Sequence, residues 1–248
     1  MTFLPGMGVR VYVNEFVVSG NISGANAQHQ RNYSDVTVVT TAGGMSYVPG
    51  LMSGSMSLRG PADSSSDLAA EILAAVGVDN NILITVLPDG TAVGKPAMFI
   101  LGDISESTLD AAVSDALGYA VTAQADESTD MGYVLVAPTA ITADGNGTSV
   151  DRGTSLSAGP VANTTGGATA ALHVSAYSGL TSAAIKLQHS TDNSSWADLA
   201  SGAFASVTAV GWQRILIPKG TQINRYVRAV TDVTGTGSIT YLLAFAPR

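Results

Sequence analysis

The chain has 248 residues, 46% of them hydrophobic and 12% charged, with 11 Lys and Arg against 19 Asp and Glu and no cysteine. Soluble domains carry about a quarter charged residues, so about half that share leaves little charged surface for a free-standing monomer; a membrane or neighbouring copies must cover the rest. The missing cysteines exclude disulfides, thiolate metal sites and cysteine nucleophiles, and no run reaches the roughly 18 apolar residues of a spanning helix.

The opening MTFLPGMGVR lacks the basic and apolar regions of a secretory signal. The N-x-S/T sequons at Asn21, Asn32, Asn146, Asn163 and Asn193 therefore read as turn sequence rather than glycan acceptors. Val9, Val11 and Val13 alternate with Arg10, Tyr12 and Asn14, the period of a half-buried strand. Asp35 to Thr41 (DVTVVTT) is rich in β-branched residues and reads as a strand. Thr40 to Gly54 (TTAGGMSYVPGLMSG) follows as a long loop, because four glycines and a proline disfavour a stable isolated strand. Short strands are expected at 56–58, 82–87, 96–101, 116–123 and 131–137. Between the first two of these, Asp63 to Gly77 (DSSSDLAAEILAAVG) places Leu68, Ile72 and Val76 four residues apart, with N-caps before and Gly77 after, which predicts one helix.

Residues 142–167 are a Gly, Ser, Thr and Asn run without apolar periodicity and read as containing a linker. It parts two unequal charge balances. Residues 1–153 hold 16 acidic and 5 basic side chains, net −11, and residues 154–248 hold 3 and 6, net +3. Beyond it Leu172, Val174 and Ala176 alternate, Ile185 and Leu187 follow, and 212–217, 226–230 and 239–245 are further strands, as in a small antiparallel sandwich. The expected organisation is mainly β: a domain over 1–153 with one flanking helix, a linker over 154–167, and a β-sandwich over 168–248.

Catalytic and metal chemistry finds little support. His29, His173 and His189 have no second ligand at metal spacing. The Asp144-Gly-Asn146-Gly-Thr148 run has Ser149 where a calcium loop needs glycine. Gly6-Met7-Gly8 lacks the third glycine of a dinucleotide fingerprint. Asp126, Glu127 and Asp130 read as a solvated hairpin tip, and Trp196 and Trp212 as core or edge aromatics rather than saccharide platforms. No catalytic residue, cofactor or metal site is expected.

Asp35-Val36-Thr37, Ser46-Tyr47-Val48-Pro49-Gly50-Leu51 and Met56-Ser57-Leu58-Arg59-Gly60, followed by the helical stretch, resemble the tail tube proteins (major tail proteins) of long-tailed bacteriophages. PDGTAVGKP, MGYVLV and GTSVDRG extend the likeness, and LHVSAYSG, IKLQHSTDNSSWADL and NRYVRAV resemble an added C-terminal β-sandwich of such phage proteins. Pro61 departs from the pattern, which has an aromatic or aliphatic residue there.

The resemblance implies a tail-tube-type sandwich or barrel, non-enzymatic and without cofactor. Its copies would form rings, six to a ring, that stack into a hollow tube passing DNA without specific binding. It further implies a place in the virion tail, assembly in the host cytoplasm, and contact with tape measure, terminator and tail-tip proteins rather than a membrane. On that basis Gly43, Gly44, Met45, Tyr47, Val48, Pro49, Gly50, Leu51 and Met52 are candidates for ring stacking. Asp103, Glu106, Asp110, Asp115, Asp126, Glu127 and Asp130 are candidates for an acidic lumen that repels phosphate over a screening length of about 8 Å. A head decoration or other virion structural protein, and a carbohydrate-binding or adhesin module, are the alternatives.

Overall fold

The computed structural model describes residues 8–19, 22–35, 47–61, 81–110, 118–127, 129–153 and 165–248. The expected helix at 63–77, Gly43, Gly44, Met45, Asp115 and most of the expected linker lie outside them. The described residues are almost entirely antiparallel β, as expected. The strands are β1 (Arg10–Val13), β2 (Phe16–Val17), β3 (Gly24–Asp35), β4 (Tyr47–Pro61), β5 (Ile82–Leu87), β6 (Pro96–Asp110), β7 (Gly118–Ala125), β8 (Asp130–Val136), β9 (Ala140–Ile141), β10 (Gly145–Asn146), β11 (Val150–Asp151), β12 (Ala168–Ser190), β13 (Ala197–Ala203), β14 (Gly211–Ile217) and β15 (Tyr226–Pro247).

The chain forms two compact units. One holds Met1–Asn21, Ile82–Phe99 and Asp130–Arg248, the other Ile22–Asn81 and Ile100–Thr129. This differs from the division expected at 153 and 168. Tyr133, Leu135 and Val150 share one apolar cluster with Leu172, Leu187, Tyr241 and Phe245, and β8 pairs with β15 at Tyr133↔Phe245. A chain ended at Gly153 would leave those side chains and the β8 edge in water, because the C-terminal strands share the larger unit's core.

In the larger unit β12 and β15 pair from end to end. The upstream part of β12 also carries β14, from Ala168↔Ile217 to Val174↔Gly211, and its downstream part carries β13. Register shifts lie between Val174 and Ser182. There Gly179 (φ 73°) and Gly235 (φ 100°) take the left-handed backbone that other residues avoid, and a Cβ on Gly237 would sit 1.9 Å from the Ser178 carbonyl oxygen. Bulges and glycines of this kind let two long paired strands bend together. Leu172 and Val174 from before the bend meet Ile185 and Leu187 from after it. Truncation of such a buried leucine to alanine costs about 2–5 kcal/mol.

The opposite face of the upstream segment is buried too, through Thr169, Ala171 and His173. Thr85 on β5 and Asn14 after β1 close over His173. Its Nδ1–H donates to the Asn14 carbonyl (2.5 Å), and Nε2 accepts from the Thr85 hydroxyl (2.6 Å). Tyr12 packs against the ring at 5.6 Å. Burial holds the His173 pKa down at about 4, against an ordinary 6.5. The folded chain therefore refuses a proton that the unfolded chain takes up between those values. Stability from this residue is complete above pH 6.5 and falls as pH drops towards 4, by on the order of 3 kcal/mol. Denaturant melts between pH 7 and 4 are expected to show this slope, and His173→Gln to be less stable at pH 7 with a flatter profile; an equal slope in the variant would contradict the assignment.

Candidate assembly interface

The described residues of the smaller unit form a four-stranded antiparallel sheet in the order β3, β4, β7, β6. Alternation in β4 explains its two faces: Met56 and Leu58 point inward and are buried, while Ser53, Ser55 and Ser57 point the other way. On the inward face Ile104, Tyr119, Val121 and Ala123 are buried as well. By register, the outward face carries Asn26 and Gln28 of β3, Ser55, Ser57 and Arg59 of β4, Thr122 and Gln124 of β7, and Asp103, Glu106 and Thr108 of β6. Ser57 and Thr122 share a hydroxyl hydrogen bond of 3.1 Å, and the Gln124 amide donates to the Gly54 carbonyl at 2.7 Å. The surface is hydrophilic with few charges.

Among the described residues β3 pairs with β4 alone, while β6 pairs with β7 from Gly102 to Asp110 and is also a sheet neighbour of β8 and β5. Within this unit β3 and β6 are the outermost strands. One β3 carbonyl, that of Gln28, accepts from the Thr129 hydroxyl at 2.8 Å. Unpaired strand edges are templates for another chain.

β3 and β4 also run on beyond their neighbour. β7 pairs with β4 only over Ser55–Pro61, whereas β3 and β4 stay paired out to Asp35↔Tyr47. Among the described residues the result is a two-stranded ribbon whose register puts Tyr33 and Tyr47 on one face and Val48 on the other. These are 63%, 53% and 51% exposed, and Met52 is 41% exposed. The expected loop over 40–54 is therefore strand from Tyr47 onward: cross-strand pairing to β3 supplies the hydrogen bonds that the glycine-rich sequence alone does not promise. Tyr47, Val48, Pro49, Gly50, Leu51 and Met52 all lie on this ribbon.

The acidic candidates do not form one group. Asp103 and Glu106 share the open face; Asp103 is half-buried, its Oδ1 enclosed without a hydrogen bond, and Glu106 is exposed. Asp110 ends β6, and Asp126 and Glu127 are exposed in the turn after β7. Asp130 is a correction. Its carboxylate is 3% exposed, accepting from Arg214 Nη2 at 3.1 Å and from Arg248 Nε and Nη2 at 3.2 and 3.1 Å. A buried carboxylate clasped by two arginines is an internal ion pair, not a solvated hairpin tip or a wall charge.

By sequence, no family model matches the chain and no curated protein does. In fold it is similar to a component of the native gene transfer agent virion (12% identity, TM-score 0.42, 51% of this chain and 97% of that one). It is similar also to the tail tube of phage SPP1 (12%, 0.41, 51% and 78%). A third likeness is to the SPP1 Dit protein, described as a hub adsorption apparatus (10%, 0.37, 96% and 99%).

Elsewhere the reactive side chains have structural employment. Asp144 Oδ1 accepts from the Val233 amide at 2.7 Å, which makes the calcium-like run a strand clamp. His189 Nδ1 accepts from the Asn224 amide at 3.2 Å, and burial lowers its pKa. Trp196 carries the Arg228 guanidinium 4.2 Å above its ring, on the surface a sugar would stack against. Among the described residues no group of His, Cys, Asp or Glu could hold a metal ion. Sequence reasoning missed β3, whose polar Gly24–Asp35 stretch carries no strand signal before its last residue, and it named Arg59 only as part of Met56–Gly60 without a role.

Proposed function

We propose that this chain is a structural protein of a phage-type virion tail that assembles with itself. The four-stranded sheets close edge to edge into rings, six copies to a ring on the family resemblance. The rings stack into a hollow tube through which DNA passes, and the Tyr33–Tyr47 ribbon reaches from one ring to the next. The observation that carries this reading is the ribbon. An isolated two-stranded hairpin is at best marginally stable in water, and this one holds four large apolar side chains in solvent, so a neighbour must cover them.

The direction of the strands supports closure. Four antiparallel strands end in two of opposite sense, so the β3 edge of one copy meets the β6 edge of the next antiparallel, and the alternation is kept around the ring. Contacts of this head-to-tail kind give closed rings in one direction and open stacks in the other. The hydroxyl and amide face would then line the lumen. Its neutral, hydrated side chains give DNA little to grip, and Asp103 adds repulsion near the wall.

On this reading the protein is not an enzyme, is part of the tail, and is put together in the host cytoplasm. Its other partners are the tape measure, terminator and tail-tip proteins of the same tail. Sedimentation of the purified chain over a range of concentrations tests the reading: ring-sized and larger species should grow in as concentration rises, and a single monomer boundary throughout would refute it.

A further inference from the structure

We infer that Arg59 and Glu106 form an ion pair between neighbouring copies and fix the register of the seam; this rests on the edge-to-edge closure proposed above. Arg59 lies on the second strand from the β3 edge, directly opposite Gly24. The glycine leaves its place on the open face empty. A Cβ there would stand 2.7 Å from Arg59 Nε and 3.3 Å from its Cγ, so the arginine lies across β3 towards the free edge. Arg59 is exposed, and among the described residues its side chain has no hydrogen bond or ion pair. Glu106 occupies the same face on β6, the outermost strand of this unit on the other side, one row along, since Glu106 pairs with Thr122 and Thr122 with Ser57. It too is exposed, with no partner among the described residues. Arg59 is the single cation on this face among the described residues, and it leans to one edge while the carboxylates stand at the other.

When the β3 edge of one copy meets the β6 edge of the next, parity puts both side chains on the same face, and Arg59 comes within reach of the partner's Glu106. The side chains that give the face its few charges are thereby joined across the seam. A slip of one residue would turn one of them inward, so the pair selects the register as well as adding attraction. A single exposed ion pair is weak, but the ring repeats it at every seam, and like charges placed in contact are penalised as opposite charges are rewarded.

The test uses Arg59→Glu and Glu106→Arg, both at exposed positions. Each variant alone places like charges at every seam and should raise the concentration needed for assembly by about tenfold or more. The double variant should assemble within about threefold of the natural chain. An equimolar mixture of the two single variants should also assemble, into rings in which they alternate, because each then meets its complement on both sides. Rescue by mixing is the decisive result. If both single variants assemble as the natural chain does, or if mixing and the double variant fail to rescue, the ion pair is wrong and edge closure stands without it. If the natural chain itself forms no rings, the assembly reading falls and this inference falls with it.

Discussion

Replacing Tyr33, Tyr47 and Met52 together with serine is expected to abolish assembly and leave the monomer folded. All three are exposed on the ribbon, so the monomer loses little by the change. In the stacked state each would be covered, and burial of a large apolar side chain contributes about 1.5–3 kcal/mol. Losing three per contact, at about 1.4 kcal/mol for each factor of ten, moves assembly beyond any concentration reachable in solution. Light scattering follows assembly and circular dichroism checks the fold. Normal polymerisation of the triple variant would show that the ribbon does not join rings.

The second large effect falls on stability. Asp130→Ala leaves the guanidiniums of Arg214 and Arg248 facing a site from which water is largely excluded; the Arg214 side chain is 12% exposed. Breaking a buried pair by removing one partner costs about 3–5 kcal/mol, much of the 5–15 kcal/mol that holds a typical domain together. Denaturant unfolding of the variant should show that loss. A change below about 1 kcal/mol would mean that Asp130 is a solvated charge, as its sequence context implies.

The elements legible in the sequence were those whose burial selects apolar and β-branched side chains, as at every residue of β5 and at Val11, Tyr12 and Val13 of β1. Val9–Asn14 contains β1, and the apolar run Ile82–Leu87 coincides with β5. β3 escaped because both its faces are exposed: GANAQHQRNYSD has neither the alternation nor the β-branched residues that burial selects. β12 and β15, 23 and 22 residues long, read as several shorter strands because glycines at their shared bend interrupt the pattern. The two-unit division was hidden for a different reason. Composition changes along the chain at about 153, but the chain crosses between units at 22, 82, 100 and 130, and no local property marks those crossings.

The candidate site was legible only in part. Tyr47 to Met52 stood out as apolar residues in a glycine-rich stretch, although their strand character depends on pairing with β3. Acidity alone could not sort Glu106 from Asp130. The partners that bury Asp130 lie 84 and 118 residues away in sequence. Arg59 gains its meaning from Gly24, a cross-strand neighbour 35 positions earlier whose lack of a side chain lets the arginine lean to the edge.

Electron microscopy of the purified full chain, concentrated in low salt, tests the central claim most directly. Rings that stack into hollow tubes, with a wall of continuous antiparallel strands whose serine, threonine and glutamine face points into the lumen, are the predicted result. Discrete monomers at every concentration, or assemblies in which that face points outward and the β3 and β6 edges stay unpaired, would contradict the account.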